Sequence, residues 1–174
     1  MKVAIIGTGF GLDVHYPVIN EIKNLKIVSI SNNGSDKRLS LIPNNINYFS
    51  SWKEVLNQSL DLVTIATPPI YHERIINYAN KKNINIFCEK PMGLNFKEGN
   101  KINSLMNLNK NNHLTINYEF RFDPGFKKIK NLLDEKVIGK LSEIKFVWLT
   151  SGASSVDRLF TWRNDVKQGG GVIM

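Results

Sequence analysis

The chain has 174 residues, 42% of them hydrophobic and 22% charged, with a formal net charge of +8 and a single cysteine. That is ordinary globular composition: no stretch is apolar for long enough to span a bilayer, no basic-then-apolar secretion signal opens the chain, and a lone Cys88 excludes an intramolecular disulfide framework or a multi-cysteine zinc site. A cytoplasmic protein is expected. Nucleic-acid binding is not expected, because the lysines are scattered and no aromatic residues interleave a basic stripe; compositional drift or attraction for anionic small ligands accounts for the charge equally well.

Lys2-Val-Ala-Ile-Ile6 reads as a strand that runs straight into Gly7-Thr8-Gly9-Phe10-Gly11-Leu12, a glycine turn opening a helix. This order suits a dinucleotide-binding unit: one glycine makes the tight turn, the next lets the backbone approach a pyrophosphate, and the helix start offers N–H groups. A strict G-x-G-x-x-G would put its third glycine at 12, where this chain has Leu12, with Gly11 one place early. Val14, Val18, Ile19 and Ile22 are expected on one helical face. A second strand covers Lys26 to Ile30 and ends in Ser31-Asn32-Asn33, without the carboxylate that often binds ribose hydroxyls. Asn32 and Asn33 can still hydrogen-bond a ribose and would not repel a 2′-phosphate. With Lys37 and Arg38 close behind, the reading inclines slightly toward NADP; the alternative is a polar loop with solvated basic side chains.

Ile46 to Phe49 is a third strand, and Ser51-Trp-Lys-Glu54 has capping-box spacing before the next helix. Asp61 to Ala66 is a buried-strand pattern that breaks at Thr67-Pro68-Pro69, where Thr67 can cap a helix whose inner face is Ile75, Ile76 and Ala79. Ile84 to Cys88 is a fifth strand, ending at Glu89-Lys90-Pro91. Asn95 to Glu98 opens a helix carrying Ile102, Leu105 and Met106 inward, and Leu114 to Asn117 is a sixth strand. Strands alternating with helices at this spacing predict an α/β fold with a doubly wound parallel sheet, a Rossmann domain over 1–118. From 119 to 174 the rhythm changes into the start of a second, α+β domain. A helix enters at Asp123-Pro124 with the stripe Phe126, Ile129, Leu132 and Leu133, and a long strand is expected from Leu141 to Thr150, with Ile144, Phe146 and Trp148 on one face.

In such a sheet ligands gather outside the carboxyl ends of the strands, where Gly7 to Leu12, Ala66 to Pro69 and Glu89 to Pro91 all fall. Lys90 is the candidate catalytic residue: it is held at a strand end, and beside a positively charged nicotinamide a partly desolvated ammonium becomes usable in proton transfer. The alternative is a lysine paired with Glu89 in a surface turn. His72 could hydrogen-bond near a cofactor or face solvent, His15 could shape the first helix, and His113 should lie at the surface. No spacing of histidines, carboxylates and cysteine suggests a metal site.

Gly7-Thr-Gly9-Phe-Gly11, Val14-His-Tyr-Pro17, Ala66-Thr-Pro-Pro69 with His72, Glu89-Lys90-Pro91, Asn117-Tyr-Glu-Phe-Arg121-Phe-Asp-Pro124, Trp162-Arg163 and Gly169 to Met174 occur in one order along the chain. Taken together, they resemble the Gfo/Idh/MocA oxidoreductases. The resemblance implies an NAD(P)-dependent enzyme acting on a sugar, cyclitol or sugar nucleotide, with Lys90 as the catalytic lysine. Ala66, Thr67, Pro68, His72, Glu89 and Asn117 would line the cofactor along with the glycine turn, and Arg121, Trp162 and Arg163 would lie near the substrate. In that family the triple-glycine segment is followed by an Asp-x-Gly-x-His motif, which this chain lacks. The 119–174 segment therefore resembles the truncated start of a substrate and oligomerisation domain, and the full-length protein is expected to form homo-oligomers. A different class of reading is a non-catalytic nucleotide-binding or scaffold subunit that pairs with another chain.

Overall fold

Val3, Ala4, Ile5 and Ile6 have no exposed surface in β1 (Lys2–Ile6), a continuously apolar run of the kind that belongs at the centre of a parallel sheet, covered on both faces. A computed structural model describes residues 1–32, 36–147, 149 and 162–170 of the chain. Five further strands flank β1: β2 (Lys26–Ser31), β3 (Asn47–Phe49), β4 (Leu62–Ile65), β5 (Asn85–Glu89) and β6 (Leu114–Asn117). They form one six-stranded sheet in the order β3-β2-β1-β4-β5-β6, every neighbouring pair parallel. The order reverses between β1 and β4, which makes the crevice above these two strands the topological switch point of a doubly wound Rossmann sheet.

Helices cover both faces. Along one, Ile75, Ile76 and Ala79 of α3 (His72–Lys81) and Ile102 of α4 (Phe96–Leu108) join Val55 and Leu56 of α2 (Trp52–Leu56) over β4 and β5. Each fully buried isoleucine there contributes about 1.5–3 kcal/mol by leaving water. Leu12 and Ile19 close the other face with Val3, Ile5, Ile27, Ile30 and Ile46. α2 and α4 begin as their sequences suggest. Ser51 accepts from the Lys53 N–H, and Asn95 accepts from the Glu98 N–H, while the Glu98 carboxylate takes the N–H of Leu94 rather than that of Asn95.

Several expectations change. The first helix opens with a π-helical turn, Gly11–His15, before α1 (Tyr16–Asn20). The wider turn shifts the phase, so Leu12, His15 and Ile19 face inward while Val18 and Ile22 are exposed. Thr67 caps no helix: the residue before the 3₁₀ turn Pro69–Tyr71 is Pro68, and the Thr67 hydroxyl is buried with no hydrogen-bond partner among the described residues. The strand expected over Leu141 to Thr150 is absent through 141–147 and at Leu149. A strand needs a neighbour for its N–H and C=O groups, and the described residues of that region offer none. Trp148 and Thr150 lie outside the described residues.

Contacts divide the chain into two compact units, Met1–Asn117 with Thr161–Met174, and Tyr118–Phe160. The sequence pattern places 119–174 in a second domain, whereas the described residues 162–170 group with the sheet. In the smaller unit Asp123 caps α5 (Pro124–Asp134) by accepting from the Phe126 N–H, and no residue of that helix is buried.

Candidate cofactor site

At the carboxyl end of β1 the backbone turns at Gly7, whose φ of +110° favours glycine and whose N–H donates to the Ser31 carbonyl at 2.8 Å. A Cβ at Gly7 would stand 2.4 Å from the Ala66 carbonyl oxygen, so this glycine is what lets the turn lie against the end of β4. Gly11 also has a close neighbour: a Cβ there would come within 2.8 Å of the Ile5 side chain. Gly11 thus performs the helix-on-strand packing assigned to a third glycine, and Leu12 is free to enter the core. Gly9 differs from both. Among the described residues, a Cβ at Gly9 would meet nothing within 4 Å. The fold itself does not require glycine there, and a side chain would fill the open space over the turn. A dinucleotide's pyrophosphate needs that space, so the loop fits the group.

The other strand ends bring their residues to the same edge of the sheet. Thr8 and Thr67 are buried, and Ala66 and Pro68 are half-buried. The orphaned Thr67 hydroxyl is a polar atom at this edge still able to take a partner. Glu89, at the end of β5, is the hub of a tie across three elements. His15 Nε2 lies 3.0 Å from Glu89 Oε1, and Asn117 Nδ2 donates to the same oxygen at 2.7 Å. Burial pushes the Glu89 carboxyl up, but hydrogen bonds from His15 and Asn117, aided by the charges of His15 and Lys90, outweigh it and hold the group below its ordinary range. His15 is itself buried, edge-on to Phe10 and Phe87, and its Nδ1 has no hydrogen-bond partner among the described residues. Sequence patterning gave His15 only a helix-shaping role; its place in the motif Val14-His-Tyr-Pro17 was the one signal of more.

His72 is fully buried. Its Nδ1 lies 2.8 Å from the Pro91 carbonyl oxygen and its Nε2 3.0 Å from that of Thr67. Both ring nitrogens therefore face the backbone of the two strand-end turns, and the side chain clamps them together rather than meeting solvent or reaching for a cofactor. Lys90, between Glu89 and Pro91, is exposed at the end of β5. Cys88 is buried, and burial pushes its thiol well above the ordinary range, which suits an inert packing residue and not a nucleophile.

At the rim, Arg38 from the 3₁₀ helix Asp36–Leu41 pairs with Asp13, and the guanidinium beside it holds the Asp13 carboxyl below its ordinary value. Asn32, at the end of β2, is half-buried; Asn33 lies outside the described residues. Trp162 is half-buried under the Arg163 guanidinium, 5.1 Å from the ring centroid. Their segment returns to the sheet's edge through Gly169, where a Cβ would come within 2.6 Å of Pro69. Arg121 belongs to the smaller unit, exposed on the 3₁₀ turn Glu119–Phe122. Among the described residues no three His, Cys, Asp or Glu side chains gather in a way that could hold a metal ion, and no helix is long and apolar enough to cross a membrane.

Comparison with known proteins bears on what this edge holds. The family described as an oxidoreductase family with an NAD-binding Rossmann fold, Gfo/Idh/MocA, matches residues 1–118. An uncharacterized oxidoreductase of Synechocystis is 29% identical over 99% of this chain, which covers 47% of that protein. The crystal structure of a myo-inositol 2-dehydrogenase from Lactobacillus plantarum superposes with a TM-score of 0.72 at 26% identity, over 80% of this chain and 42% of that one. A scyllo-inositol dehydrogenase from Lactobacillus casei, solved with NAD(H) and scyllo-inositol, shares the fold at a TM-score of 0.70 and 22% identity, covering 80% of this chain and 42% of its own. The chain thus spans under half the length of these relatives. With that family matched across the whole parallel sheet and its glycine turn, the chain belongs to the Gfo/Idh/MocA oxidoreductases, with an NAD-binding Rossmann fold.

Proposed function

We propose that the chain is the cofactor-binding part of a cytoplasmic dehydrogenase or reductase that moves a hydride between NAD(P) and a hydroxyl or carbonyl of a sugar, cyclitol or sugar nucleotide. The observation that carries the reading is the contrast among the three glycines: Gly7 and Gly11 are closed in by protein, while Gly9 opens onto space at the switch point of the sheet. A dinucleotide bound there supplies the hydride carrier. The chain's own residues do the rest. Backbone N–H groups around Gly9 and Phe10 receive the pyrophosphate, the Thr67 hydroxyl and Pro68 bound the neighbouring wall, and Lys90 hydrogen-bonds the substrate oxygen and holds its proton. Glu89, Asn117, His15 and His72 position the turn that carries Lys90. The names of the inositol dehydrogenases favour a polyol-like substrate. Arg121, Trp162 and Arg163 are proposed near it, and the complete enzyme is proposed to be a homo-oligomer.

The test is fluorescence titration with NADH and NADPH. The chain should bind at least one, and Gly9→Val should weaken binding by at least about tenfold, since a branched side chain enters the pyrophosphate space. Its melting temperature should stay within a few degrees of the parent's, because no described atom lies within 4 Å of the added Cβ. Absence of binding to either nucleotide would remove the reading.

A further inference from the structure

Arg38 lays its guanidinium back across the glycine turn. Nη1 donates to Asp13 Oδ2 at 3.0 Å and reaches the Gly9 carbonyl oxygen at 3.4 Å, while Nη2 donates to Asp13 Oδ1. Asp13 therefore takes both guanidinium nitrogens in a fork-on-fork pair, the geometry that gives a carboxylate its strongest hold on arginine. The pair is at the rim of the site and not in the core: the Arg38 side chain is one-third exposed and that of Asp13 more than half.

The position matters because of what lies beside it. In a dinucleotide site the adenosine ribose sits at the carboxyl end of the second strand, next to the glycine turn. An acidic residue at that strand end selects the 2′-hydroxyl of NAD, and an arginine nearby accepts the 2′-phosphate of NADP. This chain has Ser31-Asn32-Asn33 at the strand end, with no acid, and an arginine that reaches the turn. On those two facts it would accept NADP. The pairing changes the balance, because the arginine's charge is already matched and a carboxylate stands against any second anion that approaches it.

We propose that Asp13 is a specificity-determining residue: by engaging Arg38 across the glycine turn it masks the arginine and repels a 2′-phosphate, so that the chain takes NADH in preference to NADPH. The acid that usually acts from the end of the second strand acts here from the first helix, through an arginine. This rests on the reading of the turn as a dinucleotide site.

The experiment is fluorescence titration of the 174-residue chain with NADH and with NADPH at 0.15 M salt, comparing the parent with Asp13→Asn, Asp13→Ala, Arg38→Ala and the double variant Asp13→Asn/Arg38→Ala. The parent should bind NADH more tightly. Either Asp13 variant should tighten NADPH binding by about five- to tenfold, the scale of an exposed ion pair plus relief of repulsion from a phosphate, and leave NADH within about twofold. The double variant should lose the gain, because Arg38 is what the phosphate recruits. A parent that prefers NADPH overturns the proposal, as does an unchanged NADH-to-NADPH ratio in both Asp13 variants. An equal loss of both nucleotides overturns it too, since Asp13 would then hold the turn without selecting. If the parent binds neither nucleotide, the dinucleotide reading falls and the proposal goes with it; binding with an unmoved ratio removes the proposal alone.

Discussion

His72 shows how one side chain can tie stability to pH. Its ring is fully buried between two carbonyl oxygens, and a neutral imidazole has one N–H to donate, so only one of the two contacts is a hydrogen bond at neutral pH. Burial pulls the ring's pKa down; the Pro91 and Thr67 carbonyls and the Glu89 charge pull it up, and burial wins, leaving it below the ordinary 6.5. Below about pH 6.5 the unfolded chain therefore binds a proton that the native chain resists, and stability must fall as pH drops through that window. Urea unfolding between pH 7.5 and 5 should show the fall, and His72→Asn should flatten it. His72→Ala should cost about 2–4 kcal/mol at neutral pH, through the cavity and the stranded carbonyls. A pH-independent midpoint in the parent would refute the buried neutral ring. None of this was legible in the sequence, where a histidine opening a helix reads equally as solvent-facing; its burial is set by the Lys90-Pro91 turn, which folds over it from far along the chain.

The tie among the π-helical turn Gly11–His15, β5 and β6 works at the scale of elements. Glu89 accepts from Asn117 and meets His15, so one carboxylate links the first helix to the two strands that flank Lys90. Its pKa lies below the ordinary 4.5, so it contributes stability above that value and loses it as the pH falls further. Glu89→Gln should destabilise by about 1–3 kcal/mol at pH 7 and remove the component of acid unfolding below pH 4.5. An unaltered low-pH limb in this variant would show that the carboxylate is not the titrating group. The elements themselves were largely readable. All six strands stand close to where apolar runs and β-branched residues place them, because a strand buried on both faces can hardly be disguised. Two other elements differ from their sequence patterns for physical reasons. The apolar spacing after the glycine turn predicts a helix of 3.6 residues per turn, and the π-helical turn at Gly11–His15 rotates Val18 and Ile22 outward. The alternating pattern after Leu141 has the period of a strand, but period alone supplies no hydrogen-bonding partner. The Glu89 tie joins residues 74 and 28 positions apart, a separation at which local pattern is silent.

For the molecule as a whole, the two units differ in how well their apolar side chains are covered. The sheet unit has two continuous cores. In the smaller unit Phe122, Ile129, Ile138, Ile144 and Phe146 are each more than half exposed, and the whole of α5 lacks a buried residue. Large apolar side chains left uncovered in this number are what protein interfaces and incomplete cores present to water. It also favours the reading in which this chain associates with further polypeptide, whether or not it turns over substrate. The 174-residue chain should therefore bind an apolar dye and self-associate as its concentration rises, with a sedimentation coefficient that climbs over the micromolar range. The effect should be strongest at high salt, where repulsion between chains of net charge +8 is screened. Replacing Ile129 and Ile138 by lysine should suppress both signals while leaving NADH binding intact, because the cofactor edge is built from the other unit. A single sharp monomer across concentration and salt, with no dye binding, would mean that these side chains are covered in solution and would count against an associating face.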